Sequence, residues 1–234
     1  MNIGKTKYMI ISIKDKPPDL NLIIGSSCIE RTNVQKFLGI YIDDKVSFRV
    51  HTNKIAAKLS QGVGLLRKMK HIVPGNVLKN LFYAFIYSRF TYGITCYGSA
   101  YQNQIQRIKN LVNRALKLVV NRHTLTPDTC KNERLFDFDM AYRYFCSINM
   151  YRIIQLNNHE FLATKLQSYQ TNHLHETRAA QNQHLTLPLF RLSKCQRSFL
   201  YNGTKIWNLL PLNIRIIEDD LNSFKKLLKN HLLS

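Results

Sequence analysis

The sequence predicts an α+β, predominantly helical fold, in which short antiparallel strands precede a helical bundle and a C-terminal helical tail. Apolar residues make up 45% of the 234 residues, which is typical of a chain that buries a core. Before Ser47 the apolar residues form short runs, whereas after it they recur at three- and four-residue steps. The length allows one large domain or two small ones.

Three apolar segments near the N-terminus are predicted to form strands. They are TKYMIISI (6–13), LNLIIG (20–25) and CIERTNVQKFLGIYID (28–43). Pro17-Pro18 predicts a turn after the first strand, and Gly25-Ser26 predicts a tight reversal between the second and third.

Helical periodicity predicts five helices after Ser47. The first covers about 20 residues with Ile55, Leu59, Val63, Leu66 and Met69 on its apolar face, and Pro74-Gly75 ends it. Asn76 is the predicted N-cap of the second. The remaining three are predicted at 102–121, 139–156 and LNSFKKLLKNHLL (221–233), while the polar, weakly periodic segment 157–200 is predicted to be a loop or linker.

The charge balance points to an anionic partner. The chain has 34 Lys and Arg against 14 Asp and Glu, a formal net charge of +20, and such an excess is typical of proteins that bind nucleic acid. From Lys45 to Asn132 there are 15 Lys and Arg and a single carboxylate, Asp128. A basic membrane-surface protein is the rival, but no apolar run is long enough to span a bilayer, so no membrane partner is predicted.

Cysteine usage favours an intracellular protein, either nuclear or cytoplasmic. The five cysteines are scattered and none forms a C-x-x-C pair, so we expect reduced thiols and no zinc site. No phosphate-cradling glycine-rich loop occurs either.

The YIDD sequence at 41–44 matches the tyrosine and paired aspartates of a polymerase metal site. Such a site needs a third carboxylate so that two metal ions are bridged. Upstream of Asp43 the chain offers only Asp15, Asp19 and Glu30, and the first two flank the predicted proline turn. We therefore interpret Asp43 and Asp44 as solvated residues at a strand end; a minimal nucleotidyl transferase that uses them is the alternative.

Basic residues of the first long helix are candidate phosphate contacts. Lys54 and Lys58 lie four apart on its predicted exposed flank, and Arg67, Lys68 and Lys70 cluster near its end. The alternative interpretation is that cations simply favour a solvated face and a helix C-terminus.

Several segments, in order along nearly the whole chain, resemble the C-terminal part of reverse transcriptases from non-LTR retrotransposons of the jockey-like, LINE-type group. The matching segments are NIGKTKYMII (2–11), the stretch 34–69 that contains KFLGIYIDD, LFYAFIYSRFTYGITCYGSA (81–100), IQRIKNLVNRALKLV (105–119), HETRAA (175–180), SFLYNGTKIWNLLP (198–211) and SFKKLLKNHL (223–232). Each is weak alone, but their order and spacing are specific.

The resemblance implies that YIDD is not the catalytic box. In that family the catalytic hairpin precedes the N-x-x-K-T-K-x-M strand, which matches Asn2 to Met9 here, so the box and the fingers would lie upstream of residue 1. The chain is then a fragment without catalytic or metal-binding residues, inactive alone and without a cofactor, although the full-length family enzyme uses Mg²⁺. An autonomous, co-opted nucleic-acid-binding protein is the alternative.

The resemblance also implies domains and contacts. Residues 1–48 match the last palm strands, 49–156 a thumb-like basic helical region, and 157–234 a linker and C-terminal helical region. The predicted partner is the backbone of an RNA or DNA duplex. The predicted contacts are Arg49, Lys54, Lys58, Arg67, Lys68 and Lys70, with Phe37, Leu38 and Gly39 near the primer end. Strands without their sheet would leave apolar faces open, which predicts poor solubility.

Overall fold

The computed structural model describes residues 6–12, 18, 20–121, 126–166, 184–218 and 220–234. It confirms the predicted α+β, predominantly helical fold class: short strands come first and helices follow. Met1 to Lys5, which precede the first predicted strand, and Ile13 at its end lie outside the described residues. So do Asp15, Pro17 and Asp19 of the predicted proline turn and the HETRAA segment (175–180) of the predicted linker.

The strands are shorter than predicted and form three separate pairs. They are β1 (Lys7–Tyr8), β2 (Ile23–Ile24), β3 (Ser27–Cys28), β4 (Glu30–Arg31), β5 (Val34–Phe37) and β6 (Ile40–Asp43). β2–β3 and β5–β6 are antiparallel, and the predicted reversal at Gly25-Ser26 is confirmed. β1–β4 is parallel, unlike the prediction.

The prediction of one continuous strand over 28–43 is wrong. Leu38 and Gly39 have positive φ values of 44° and 85°, so the chain reverses there into the β5–β6 hairpin. A residue with positive φ cannot continue an extended strand.

The helices follow in the order α1 (Arg49–Met69), α2 (Gly75–Phe82), a π-helical turn (Tyr83–Tyr87), α3 (Ser88–Thr91), α4 (Ile94–Tyr97), α5 (Gln102–Val119), α6 (Pro127–Asn132), α7 (Phe138–Ile154), α8 (Glu160–Ala163), a 3₁₀ turn (Cys195–Arg197), α9 (Phe199–Asn208), α10 (Leu212–Arg215) and α11 (Leu221–Leu233). Asn76 is not an N-cap, because α2 begins at Gly75 with Pro74 in extended conformation before it. The helix therefore begins two residues earlier than predicted, with Pro74 as its N-cap.

Two hydrophobic clusters meet along α7. The first joins α1, α2 and α5 with the N-terminal part of α7, and the second joins the C-terminal part of α7 with α9, α10 and α11. The predicted boundary at 156/157 falls just after α7, and α8, α9 and α11 beyond it pack against α7. Within the predicted linker the described residues form α8 and the 3₁₀ turn.

All five cysteines are free, as the sequence predicts. None of the helices in the described ranges is long and apolar enough to cross a bilayer.

Candidate nucleic-acid interface

α1 and α5 pack side by side and run in the same direction. Arg49 and Asn53 at the start of α1 line one groove with Asn103, Gln104 and Arg107 at the start of α5. The Oγ1 of Thr52 lies 3.4 Å from the Oε1 of Gln104. The C-terminal ends of the two helices line a second groove. Because like ends meet in both grooves, the two helices are parallel.

The second groove is strongly cationic. It has a volume of about 280 Å³ and is lined by Arg67, Lys70, Arg114 and Lys117, with Val63 and Leu118 beneath them. Cations in the last turn of a helix are stabilised by its dipole, so one such residue needs no ligand to explain it. Four cationic side chains that line one groove repel each other, however, and an anion bound between them would relieve that repulsion.

The groove at the N-terminal ends is cationic as well. It measures about 430 Å³ and combines two guanidinium groups, Arg49 and Arg107, with the side-chain amides of Asn53, Asn103 and Gln104. Neither helix has an acidic residue in its first turn. Helix N-termini carry partial positive charge, so this end also favours an anion.

Together the two grooves define one surface, which we call the α1–α5 face: Arg49, Arg67, Lys70, Arg107, Arg114 and Lys117. Neither α1 nor α5 contains Asp or Glu. The face extends along 18 residues of α5, or about 27 Å at 1.5 Å per residue. That length matches about eight base-pair steps of a duplex, since each strand rises 3.4 Å per step.

The structure places five of the six cations predicted from the sequence on two flanks of α1. Arg49, Arg67 and Lys70 belong to the α1–α5 face. Lys54 lies on the other flank, where its Nζ is 4.0 Å from the centre of the Tyr41 ring. Lys58 is on the same side, since its charge also contributes to lowering the pKa of Tyr41. Lys68 is exposed between the flanks.

Sequence reasoning missed Arg107, Arg114 and Lys117. Their signal was present: Arg107 and Arg114 are seven residues apart and Lys117 follows at three, so all lie along one side of a helix. What the sequence did not reveal is that this side of α5 borders α1, because that depends on tertiary packing.

The predicted primer-end residues form the exposed tip of the β5–β6 hairpin. Phe37 and Leu38 are 64% and 75% exposed, which is unusual for large apolar side chains. The Tyr92 hydroxyl donates a hydrogen bond to the Leu38 carbonyl at 2.5 Å. A Cβ at Gly39 would lie 3.1 Å from the Tyr92 ring, so glycine allows both the positive φ and this close approach.

Tyr41 lies on this hairpin among cations. The Lys54 ammonium beside it lowers the pKa of its phenol, with further contributions from Lys36 and Lys58. Such an arrangement adds positive charge next to the hairpin, on the flank of α1 opposite the α1–α5 face.

Asp43 is a structural residue, and the expectation that both aspartates are solvated is wrong for it. Its side chain accepts hydrogen bonds from the Lys45 N–H at 3.2 Å, the Ser47 N–H at 2.8 Å and the Ser47 hydroxyl at 3.0 Å. It is only 8% exposed, whereas Asp44 is half-buried. The carboxylate holds the turn that leads from β6 into α1.

This geometry predicts unequal effects at the two aspartates. Asp43→Ala removes three hydrogen bonds and should lower the free energy of unfolding by about 1–2 kcal/mol. Asp44→Ala removes no side-chain hydrogen bond to the described residues and should cost less than about 0.5 kcal/mol. Urea denaturation of both variants measures the difference, and equal losses would contradict the structural role of Asp43.

His51 lies buried beneath the hairpin and predicts a pH effect on stability. Its Nδ1 accepts a long hydrogen bond, 3.5 Å, from the Tyr41 N–H, and its Nε2 is buried without a hydrogen-bond partner among the described residues. Burial, assisted by the Lys58 charge, lowers its pKa below 6.5. The unfolded chain therefore takes up the proton first as pH falls.

The contribution of His51 to stability should accordingly be complete above pH 6.5 and decrease as pH falls below it, through the lowered pKa of the folded state. In His51→Phe this part of the pH dependence should vanish. Denaturation series between pH 5 and 7 on both proteins test this, and identical slopes would show that another group is responsible.

No group of three or more His, Cys, Asp or Glu side chains in the described part of the chain is placed to hold a metal ion. Comparison with protein-family models, with curated proteins and with solved structures found no match.

Proposed function

We propose that this chain is the C-terminal part of a non-LTR retrotransposon reverse transcriptase. In this proposal it binds the backbone of an RNA or DNA duplex without reading the sequence, and it has no polymerase activity alone. A nuclear or cytoplasmic, intracellular location follows from the proposal. The observation on which the binding proposal rests is the α1–α5 face, six cations on two helices that contain no Asp or Glu.

The chemistry of this face suits phosphates more than base edges. Arginine and lysine neutralise backbone charge, and the neighbouring amides add neutral donors. On the outer side of α5, Gln106 Nε2 donates to Asn110 Oδ1 at 3.0 Å. Side chains that form hydrogen bonds to each other along a helix are less available for contacts with base edges. The face is therefore better suited to contacts with the phosphate backbone than to recognition of a base sequence.

The N-terminal strands support the fragment part of the proposal. Among the described residues before Ile55, Ile29 is the single buried apolar side chain, while Ile11 and Ile23 are 61% and 65% exposed. In this proposal the missing palm and fingers of the parent enzyme cover that surface.

Polar substitution at this surface should improve solubility without a loss of stability. Ile23→Thr/Ile24→Thr keeps β-branched residues in β2 and removes exposed apolar area. We expect reduced self-association by light scattering and a change in Tm below about 2 °C. A large fall in Tm would mean that these side chains are buried in the folded chain.

Two measurements test the function. The first is fluorescence anisotropy with two 20-base-pair duplexes of unrelated sequence, for which we expect Kd values within about threefold; a preference of a hundredfold would contradict backbone binding. The second is primer extension with Mg²⁺, for which we expect no product. Extension that Asp43→Asn/Asp44→Asn abolishes would instead favour the minimal nucleotidyl transferase.

A further inference from the structure

A cavity of about 420 Å³ lies between α4, α7 and the segment that opens α9. It shares no lining residue with the two grooves of the α1–α5 face. Its volume is within the range of about 300–1,000 Å³ that is usual for small-molecule sites.

Basic residues from three parts of the chain line this cavity. Arg152 comes from α7, His159 from the segment before α8, and Lys194 and Arg197 from the 3₁₀ turn and the residue before it. Among the described residues, no Asp or Glu lines the cavity. Arg152, Lys194 and Arg197 form no ion pair with a carboxylate of the described residues.

The N-terminus of α9 adds to this positive charge. Ser198 and Phe199, the N-cap and first residue of this ten-residue helix, line the cavity. The first turn contains no acidic residue, and the Ser198 hydroxyl accepts a hydrogen bond from the Tyr201 N–H. The other N–H groups of that turn and the three cations form a setting that suits a phosphate group.

The position of Arg197 is fixed by its neighbours. Its guanidinium lies 3.9 Å from the centre of the Tyr101 ring, and its carbonyl accepts a hydrogen bond from the Ser99 hydroxyl. Stacking on an aromatic ring orders the planar guanidinium before any ligand arrives.

The remaining walls suit a flat, polar-edged ring. Phe48, Ile153 and Phe199 supply apolar surface, and Asn149 lies among them. The Asn149 Nδ2 is at 3.5 Å from Thr95 Oγ1, which is a weak hydrogen bond that a ligand can replace. Aromatic and apolar walls with a few amide and hydroxyl groups are typical of sites for a nucleobase.

We propose that this cavity binds a phosphorylated nucleoside, with the phosphate held by Arg152, Lys194 and Arg197 at the start of α9 and the base between the apolar walls. The nucleoside phosphate is either a free mononucleotide or the 5′-terminal nucleotide of a strand. The site does not depend on the proposed duplex binding.

Calorimetry on the full chain tests the proposal with AMP as the probe. We expect AMP to bind with a Kd below 1 mM, and adenosine and inorganic phosphate each to bind at least tenfold more weakly, because each engages only part of the cavity. Arg152→Gln and Arg197→Gln should each weaken AMP binding by about tenfold or more, and Arg152→Lys should retain part of it.

Arg114→Gln is the control, since it removes a cation of the α1–α5 face. It should leave AMP affinity unchanged and lower duplex affinity, so that the two proposals fail independently. A 5′-phosphorylated tetranucleotide that binds more tightly than AMP identifies a strand end as the ligand, and weaker binding identifies the free nucleotide. Absent AMP binding, equal binding of adenosine, or AMP affinity unaffected in both arginine-to-glutamine variants would overturn the proposal.

Discussion

Replacing Arg67, Lys70, Arg114 and Lys117 with glutamine is expected to weaken duplex binding about 10³-fold at 0.15 M salt. The affinity of a backbone-binding protein varies with salt to the power of about −0.9 for each neutralised phosphate, so each lost contact costs about fivefold at that concentration. The four side chains lie in one groove at the ends of α1 and α5 and should reach phosphates together. Fluorescence anisotropy with one duplex at several salt concentrations measures the loss.

A matched control distinguishes the effect of this face on duplex affinity from the effect of the net charge of +20. The control variant replaces four cations that are exposed elsewhere in the chain and again comprise two arginines and two lysines: Arg143, Arg191, Lys205 and Lys226. Their replacement by glutamine removes the same four charges but should lower affinity by less than about tenfold, because distant surface charges are screened within about 8 Å. Equal losses in the two quadruple variants would show that overall charge, and not the α1–α5 face, attracts the duplex.

Phe224→Ala should have the largest single-residue effect on stability, a loss of about 3–5 kcal/mol. The Phe224 ring is fully buried on α11 and stacks on Tyr151 of α7 at 4.2 Å and on Trp207 of α9 at 5.9 Å. Truncation removes both ring contacts and leaves a cavity between three helices. Thermal unfolding should show a Tm lower by about 10 °C or more.

Leu227→Ala on the same helix is the control, since its side chain is 42% exposed and should cost less than about 1 kcal/mol. Equal losses at the two positions would mean that α11 is not docked on α7. At a temperature where the Phe224→Ala variant remains folded, its duplex affinity should match that of the unsubstituted chain. The reason is that α1 and α5, which carry the α1–α5 face, pack in the first hydrophobic cluster, whereas Phe224 belongs to the second.

The long helices could be predicted because their apolar spacing is regular. Predicted bounds of 102–121 and 139–156 correspond to Gln102–Val119 and Phe138–Ile154, and the C-terminal helix agrees at both ends. The short helices between Tyr83 and Tyr97 could not be predicted in this way. Gly93 with a φ of 65° interrupts them, and the π-helical turn changes the residue spacing on which periodicity depends.

The strands were less predictable for the opposite reason. Apolar runs such as LNLIIG predict a buried strand, yet Ile23 and Ile24 are exposed and pair only with Ser27 and Cys28. Strand extent is determined by the partners that a sheet supplies, and the described residues supply one short partner to each strand.

The candidate site was predictable in its charge but not in its geometry. The near absence of carboxylates between Lys45 and Asn132 predicts an anion-binding region, and three of the predicted contacts, Arg49, Arg67 and Lys70, line the two grooves of the α1–α5 face. That Lys54 contacts Tyr41, and that Arg107 and Arg114 border α1, are consequences of tertiary packing. Helical periodicity shows which residues lie on the same side of a helix, but it does not show which other helix packs next to that side.

The most direct test of the central claim is the salt dependence of duplex binding by the unsubstituted chain. If the α1–α5 face neutralises four to six phosphates, a plot of log affinity against log salt concentration should be linear with a slope between about −3.5 and −5.5. Affinity should then fall more than a hundredfold between 50 and 200 mM salt. A slope near zero, or no measurable binding at 50 mM salt, would contradict the account.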